Sequence, residues 1–151
     1  MTGHEYANLV GRYIFGAYAS RGVQVFREIS LGKSIIGKNR AVDILVLDSA
    51  SNRAFAIECK YQGTSGTVDE KIPYALADMD AMWIPGVVAY AGVGFSDGVV
   101  QMLRASKLAA YCFPDEKSPV PSINTRELDH IIASVFGWWD IILRGRTPIA
   151  G

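Results

Sequence analysis

Several features that would each mark a class of protein are scarce in this chain of 151 residues. It holds two cysteines, Cys59 and Cys112, and both fall in apolar, strand-like runs. That excludes a disulfide framework or a cysteine zinc site and leaves reduced core thiols, so an intracellular, cytoplasmic, reducing setting is expected. Histidine is also rare, and His130 has no ligand-type neighbours at metal-binding spacing, which reads as a surface or half-buried side chain. There is no excess of positive charge: fifteen basic side chains balance fifteen acidic ones. A global field of the sort that marks many nucleic-acid binders is therefore excluded, while a local basic patch is not. No long apolar run exists either. The longest uncharged stretch, Ala81 to Ser96, is short for a bilayer span and is broken by Pro85, Gly86, Gly92 and Gly94, and the N-terminus lacks the basic-then-apolar pattern of a leader. No membrane segment is expected. Internal repeats and low-complexity tracts are absent.

What is present is apolar: half of the residues, enough to bury a sizeable core in a single domain spanning 1–151. From His4 to Ser20, the residues Tyr6, Leu9, Val10, Tyr13, Ile14, Ala17 and Tyr18 recur on one face of a helix. A β-branched run, Val23 to Ile29, predicts a first strand. The stretch from Leu31 to Arg40 is the most basic part of the chain, with Lys33, Lys38, Asn39 and Arg40, and reads as a loop or hairpin tip. Ala41 to Leu47 predicts a second strand, apolar but for Asp43, and Asp48 to Arg53 a turn. Thr67 to Glu70 has capping-box spacing and opens a helix through Trp83, with Pro73 either at its first turn or kinking it. Val87 to Val93 and Leu108 to Phe113 predict two more strands joined by a helix capped at Ser96, in a right-handed parallel crossover. A last helix follows Asn124, and Trp138 and Trp139 are expected in the core or at a dimer contact. The pattern predicts an α/β protein with a mixed sheet of about five strands flanked by helices.

One stretch does not fit a plain core strand. In Ala54 to Gln62 the strand alternation puts Glu58, Lys60 and Gln62 on one face, where charge needs a partner or a metal. If the turn is centred between Ala50 and Ser51, Asp48 faces Arg53, Leu45 faces Ala56 and Asp43 faces Glu58, with Cβ atoms about 4.5–5.5 Å apart. A slip of one residue would put Asp43 on the opposite face. The plain alternative is a partly buried salt bridge at a sheet end. Phosphodiester hydrolysis gives another reason for these residue types: two carboxylates suit a hard cation such as Mg²⁺, and a lysine can orient or deprotonate an attacking water or stabilise developing charge.

Asp43 with Glu58-Cys59-Lys60, in the order helix, three-strand meander, helix, strand, resembles the PD-(D/E)XK nuclease superfamily over roughly Glu5 to Val93. Val42 stands where that family often has proline. The resemblance implies a restriction endonuclease-like core and a metal-dependent DNA nuclease, with Asp43 and Glu58 binding Mg²⁺ (Mn²⁺ substituting), joined by the Cys59 backbone carbonyl. It also implies that Lys60 assists the attacking water, and that Glu5 on the first helix is a further acidic ligand, weighed evenly against an ordinary first-turn acid. Lys33, Lys38, Asn39 and Arg40 are expected to contact the phosphate backbone, with Gln62 and Lys71 as weaker substrate-binding candidates. DNA is the expected partner. A homodimer, or a protein partner supplying specificity, would suit so short a chain. The rival readings are a catalytically silent DNA-binding or assembly module of the same fold and a structure-specific junction resolvase.

Overall fold

The computed structural model describes residues 1–150; Gly151 lies outside them. Helix α1 runs over Gly3–Tyr18 and is opened by a capping box in which Thr2 and Glu5 exchange backbone and side-chain hydrogen bonds. A 3₁₀ turn, Ala19–Arg21, leads to three strands: β1 Val23–Lys33, β2 Asn39–Asp48 and β3 Arg53–Tyr61. Then come α2 Val68–Asp80, β4 Gly86–Ala91, α3 Asp97–Ala105, β5 Ala109–Tyr111, α4 Arg126–Phe136 and α5 Trp139–Ile142. The five strands lie side by side in chain order, antiparallel from β1 to β3 and parallel from β3 to β5. The expected mixed sheet is therefore present. β5 is shorter than its apolar run, because Cys112 and Phe113 have left the strand.

One sheet face carries Ile44, Val46, Phe55, Ile57, Cys59, Val87, Ala89 and Ala110, and it is covered by Tyr6, Val10, Tyr13 and Ile14 of α1 and Leu128 and Ile132 of α4. Both cysteines are buried free thiols on this side. The other face packs Val88 against Ala75 and Met79 of α2, and Tyr90 against Ile72 and Leu103. Among the described residues, no helix is long and apolar enough to cross a membrane. The α1–α4 contact holds a buried polar knot. Asp129 accepts from Tyr13 Oη at 2.6 Å and Tyr18 Oη at 2.5 Å through one oxygen, and from Thr125 Oγ1 at 2.7 Å through the other. Burial, and then the bond to Asp129, push both tyrosine hydroxyls well above their ordinary range.

Three local expectations change. The capping box at Thr67 does not form: Thr67 makes no side-chain cap, and the Asp69 N–H is instead accepted by Gln62 Oε1 at 3.2 Å. A side chain from the preceding strand thus does the work that the local pattern assigned to Thr67 and Glu70. Pro73 lies inside α2, with neither a separate first turn nor a break. Trp138 is half-buried against Tyr18 and Phe136, beneath the Arg21 guanidinium, whereas Trp139 is 52% exposed.

Candidate active site

The β2–β3 register decides the site. Asp48 pairs with Arg53, Leu45 with Ala56 and Ile44 with Ile57, the alignment expected from the turn centre. Ser51 donates to Asp48 Oδ2 through both its N–H and its hydroxyl, and Asn52 takes the left-handed conformation (φ 60°) that closes the loop. Beyond Ile44 and Ile57 the two strands part, while the β3–β4 ladder continues to Tyr61 and Ala91. At the fork the Cys59 N–H is taken by the Asp43 side chain, Oδ2 at 2.7 Å. Asp43 therefore leans onto β3 and meets Glu58, to which it is hydrogen-bonded. Lys60, one pleat on, places its Nζ 3.7 Å from Glu58 Oε1, with both side chains mostly covered.

Burial raises the Glu58 carboxyl to about 8, and the hydrogen bond to Asp43 and that residue's charge push the same way, with Lys60 opposing. Near neutral pH Glu58 thus keeps its proton. At 3.7 Å Lys60 is an electrostatic neighbour rather than a hydrogen-bonded partner. The consequence for stability has a definite sign. With no divalent cation present, the folded chain keeps a proton on Glu58 that the unfolded chain has released, so stability falls as pH rises from about 4.5 to about 8. The expected slope is up to about 1.4 kcal/mol per pH unit. Denaturant midpoints measured across that window in a chelator should show it in the wild type and not in Glu58→Gln; equal slopes would refute the retained Glu58 proton.

Glu58 and Lys60 form the floor of a cleft of about 220 Å³, walled by the hairpin arm from Ser34 to Ala41 and by Tyr74, Ala75, Asp78 and Met79 of α2. Lys38, Asn39 and Arg40 line it, while Lys33 and Lys71 are exposed on the hairpin and on α2. Arg40 has a further tie. It is buried, and its guanidinium is held by Asp78, Nη2 to Oδ1 at 2.8 Å and Nε to Oδ2 at 3.0 Å, so it braces the hairpin from the cleft wall. Asp78 also accepts from the Ile35 N–H at 3.0 Å. Gln62 likewise leaves the substrate set: it is 4% exposed, its amide nitrogen donates to Asp69 and Gly94, and its oxygen caps α2. Glu5 is spent on the capping box, accepting from the Thr2 N–H, and its fully exposed carboxyl, lowered by that bond, lines a separate cleft with Leu9, Arg12 and Glu116. Two residues at the site escaped the sequence pattern. Asp78 and Tyr74 are on α2, where an acid and a half-exposed aromatic look like ordinary surface. Glu28 is a third: it stands opposite Asp43 on β1 with φ 55°, a conformation costing a side-chain-bearing residue about 1 kcal/mol, and its carboxylate turns toward His4 at 3.7 Å.

A mixed sheet whose hairpin sets two carboxylates and a lysine together at a helix-walled cleft, Glu58 and Lys60 lining it and Asp43 beside them, has the layout of a nuclease-type α/β fold. The chain belongs to the PD-(D/E)XK nuclease superfamily, whose domain model matches residues 2–139. No curated protein matches it. Solved structures similar to it include a protein of unknown function (10% identity, 88% of this chain and 66% of that one, TM-score 0.48). Others are a repair endonuclease from Pyrococcus abyssi (14%, 68% and 44%, 0.39) and the MspJI restriction endonuclease in complex with a 27-mer oligonucleotide (17%, 92% and 30%, 0.35). The chain thus spans between 30% and 66% of the length of these proteins.

Proposed function

We propose that this chain is a divalent-metal-dependent deoxyribonuclease in which Asp43 and Glu58 hold Mg²⁺, Lys60 serves the attacking water, and residues 1–151 act as one nuclease domain. The observation that carries the proposal is the pair of partly buried carboxyls, Asp43 and Glu58, with Glu58 set beside Lys60 at the floor of an open cleft. Such a pair is unfavourable by itself and a good hard-cation site, since a divalent ion would offset the repulsion. Among the described residues no group of three or more His, Cys, Asp or Glu side chains gathers, so this chain supplies two carboxylates, with the Cys59 carbonyl and water or phosphate oxygens to complete the shell. Both donors are hard oxygens and the residues fit Mg²⁺ or Mn²⁺. When bound, the metal supplies charge stabilisation at the phosphoryl oxygens and lowers the pKa of a coordinated water.

The protein's own side chains do the rest. Asp43 is aimed by its bond to the Cys59 N–H, and Glu58 is held on the paired part of β3. Lys60 carries positive charge to the edge of the carboxyl pair, where it can orient a water or meet the charge that develops on phosphate. Lys38 and Asn39 on the cleft wall, with Lys33 and Lys71 beyond it, suit contacts to a nucleic-acid backbone. The test is a panel of linear, single-stranded and branched DNA incubated with Mg²⁺, Mn²⁺ or chelator. Cleavage of at least one substrate with either metal, and of none with chelator, is expected. No cleavage with any pair would leave a silent domain of the same fold as the better reading.

A further inference from the structure

The two elements that wall the cleft expose aromatic and apolar side chains beside its charged lining, and such side chains are a poor match for the phosphate surface of an intact duplex. Tyr74, 41% exposed, forms part of the cleft wall that faces Glu58 and Lys60. Above it, the hairpin tip carries Ile35 and Ile36, 48% and 60% exposed, and is tied onto α2 by the Ile35–Asp78 bond. Trp83, just past the end of α2, is 77% exposed, and the end of its indole lies against Gly32 of β1, where an added Cβ would stand 2.8 Å from the ring. The φ of 66° at Gly32 favours glycine as well. Tyr74 thus lines the cleft, while Ile35, Ile36 and Trp83 stand in water on the hairpin and just past α2, the two elements that wall it, and together these four side chains make an apolar rim.

We infer that this rim receives unpaired nucleobases, and that the substrate of the site is single-stranded or locally unpaired DNA. The inference rests on the proposed nuclease reading of the cleft. Stacking on a tyrosine or tryptophan face needs a base whose own faces are free, and every base offers such a face, so the contact selects for strand state rather than sequence. The flanking cations divide the work in the same sense: Lys33, Lys38 and Lys71 can hold a backbone, while Tyr74 and Trp83 hold bases. The Arg40–Asp78 pair joins the two walls, with Asp78 lying between Tyr74 and Trp83 in the chain, so the hairpin and α2 present the rim as one unit.

The experiment is equilibrium binding in chelator, where no cleavage intervenes, of one labelled oligodeoxynucleotide presented as a single strand, as a blunt duplex, and as a strand of abasic sites. The wild type should bind the single strand at least about tenfold more tightly than either other form. Tyr74→Ala and Trp83→Ala should each weaken single-strand binding by roughly five- to tenfold and leave duplex binding unchanged, whereas Tyr74→Phe and Trp83→Phe keep most of it. Single-strand binding should also quench the wild-type tryptophan emission, an effect reduced in Trp83→Phe. Thermal melts establish that each variant is folded. Equal or tighter binding to duplex, abasic strand binding as well as the normal one, or folded alanine variants that bind the single strand normally would each overturn the inference. The two readings fail separately. A single-strand preference without metal-dependent cleavage keeps the base-binding rim and removes the nuclease; metal-dependent cleavage of duplex unaffected by Tyr74→Ala keeps the nuclease and overturns the rim.

Discussion

Lys60→Ala is expected to abolish the proposed metal-dependent DNA cleavage and to leave the fold intact. The expected loss is roughly 10²–10⁴-fold, the range for removal of a group that positions or moves a proton. Glu58→Ala and Asp43→Ala are expected to fall at least as far, since each takes away one of the two carboxylates. The stability of the same variants separates catalysis from the plain alternative, a structural ion pair at a sheet end. A buried ion pair broken on one side costs about 3–5 kcal/mol because the remaining charge is stranded. Glu58 is not such a charge, as its carboxyl already keeps a proton near neutral pH. Glu58→Gln and Lys60→Ala should therefore melt within a few degrees of the wild type while losing activity. Normal cleavage by a folded Lys60→Ala, or a large loss of stability in both variants, would remove the catalytic assignment.

Asp78→Ala should be the most destabilising single change near the cleft. The Arg40 side chain is 5% exposed and, among the described residues, Asp78 supplies the carboxylate bonded to it, with Oδ1 and Oδ2 both engaged. Removing the acid leaves a buried guanidinium with no counter-ion, at an expected cost of about 3–5 kcal/mol. It also removes the acceptor for the Ile35 N–H, so the tip of the β1–β2 hairpin loses its tie to α2. The double replacement Arg40→Leu with Asp78→Leu should recover most of that loss, because two apolar groups need no charge partner. Urea denaturation of the two variants checks both halves. A single variant as stable as the wild type would mean that the bridge braces nothing.

The parts of this molecule that could be read from its amino acids are those set by near neighbours in the chain. Asp48, Ser51 and Asn52 specify the hairpin turn, the turn specifies the register, and the register brings Asp43 to Glu58 across fourteen intervening residues. The alternation of Phe55, Ile57 and Cys59 with Ala56, Glu58 and Lys60 fixes which residues face the cleft. The errors all concern partners supplied from elsewhere. Gln62 sits on the correct face, but Asp69 and Gly94 close around it, so a residue that looked like a free strand end is a clasp between β3, α2 and the loop after β4. Arg40 lies in the most basic stretch, and nothing local says that Asp78, on a helix two elements later, will bury it. Thr67 and Glu70 have the spacing of a helix start, yet Gln62 reaches the first-turn amide instead. Local pattern names the chemistry of a site well, and long-range contact decides which side chains remain free to use it.

The fork between β2 and β3 gives the two carboxylates unequal mechanical standing. Glu58 and Lys60 ride on a strand whose ladder to β4 is unbroken past them, so they move only with the central sheet. Asp43 rides on the departing branch, and its side chain reaches the central strand through the bond to the Cys59 amide. One carboxylate is thus bolted to the frame while the other is moored to it. Small adjustments in the separation of the two carboxylates can be taken up by Asp43 alone, without disturbing the packed strand beneath.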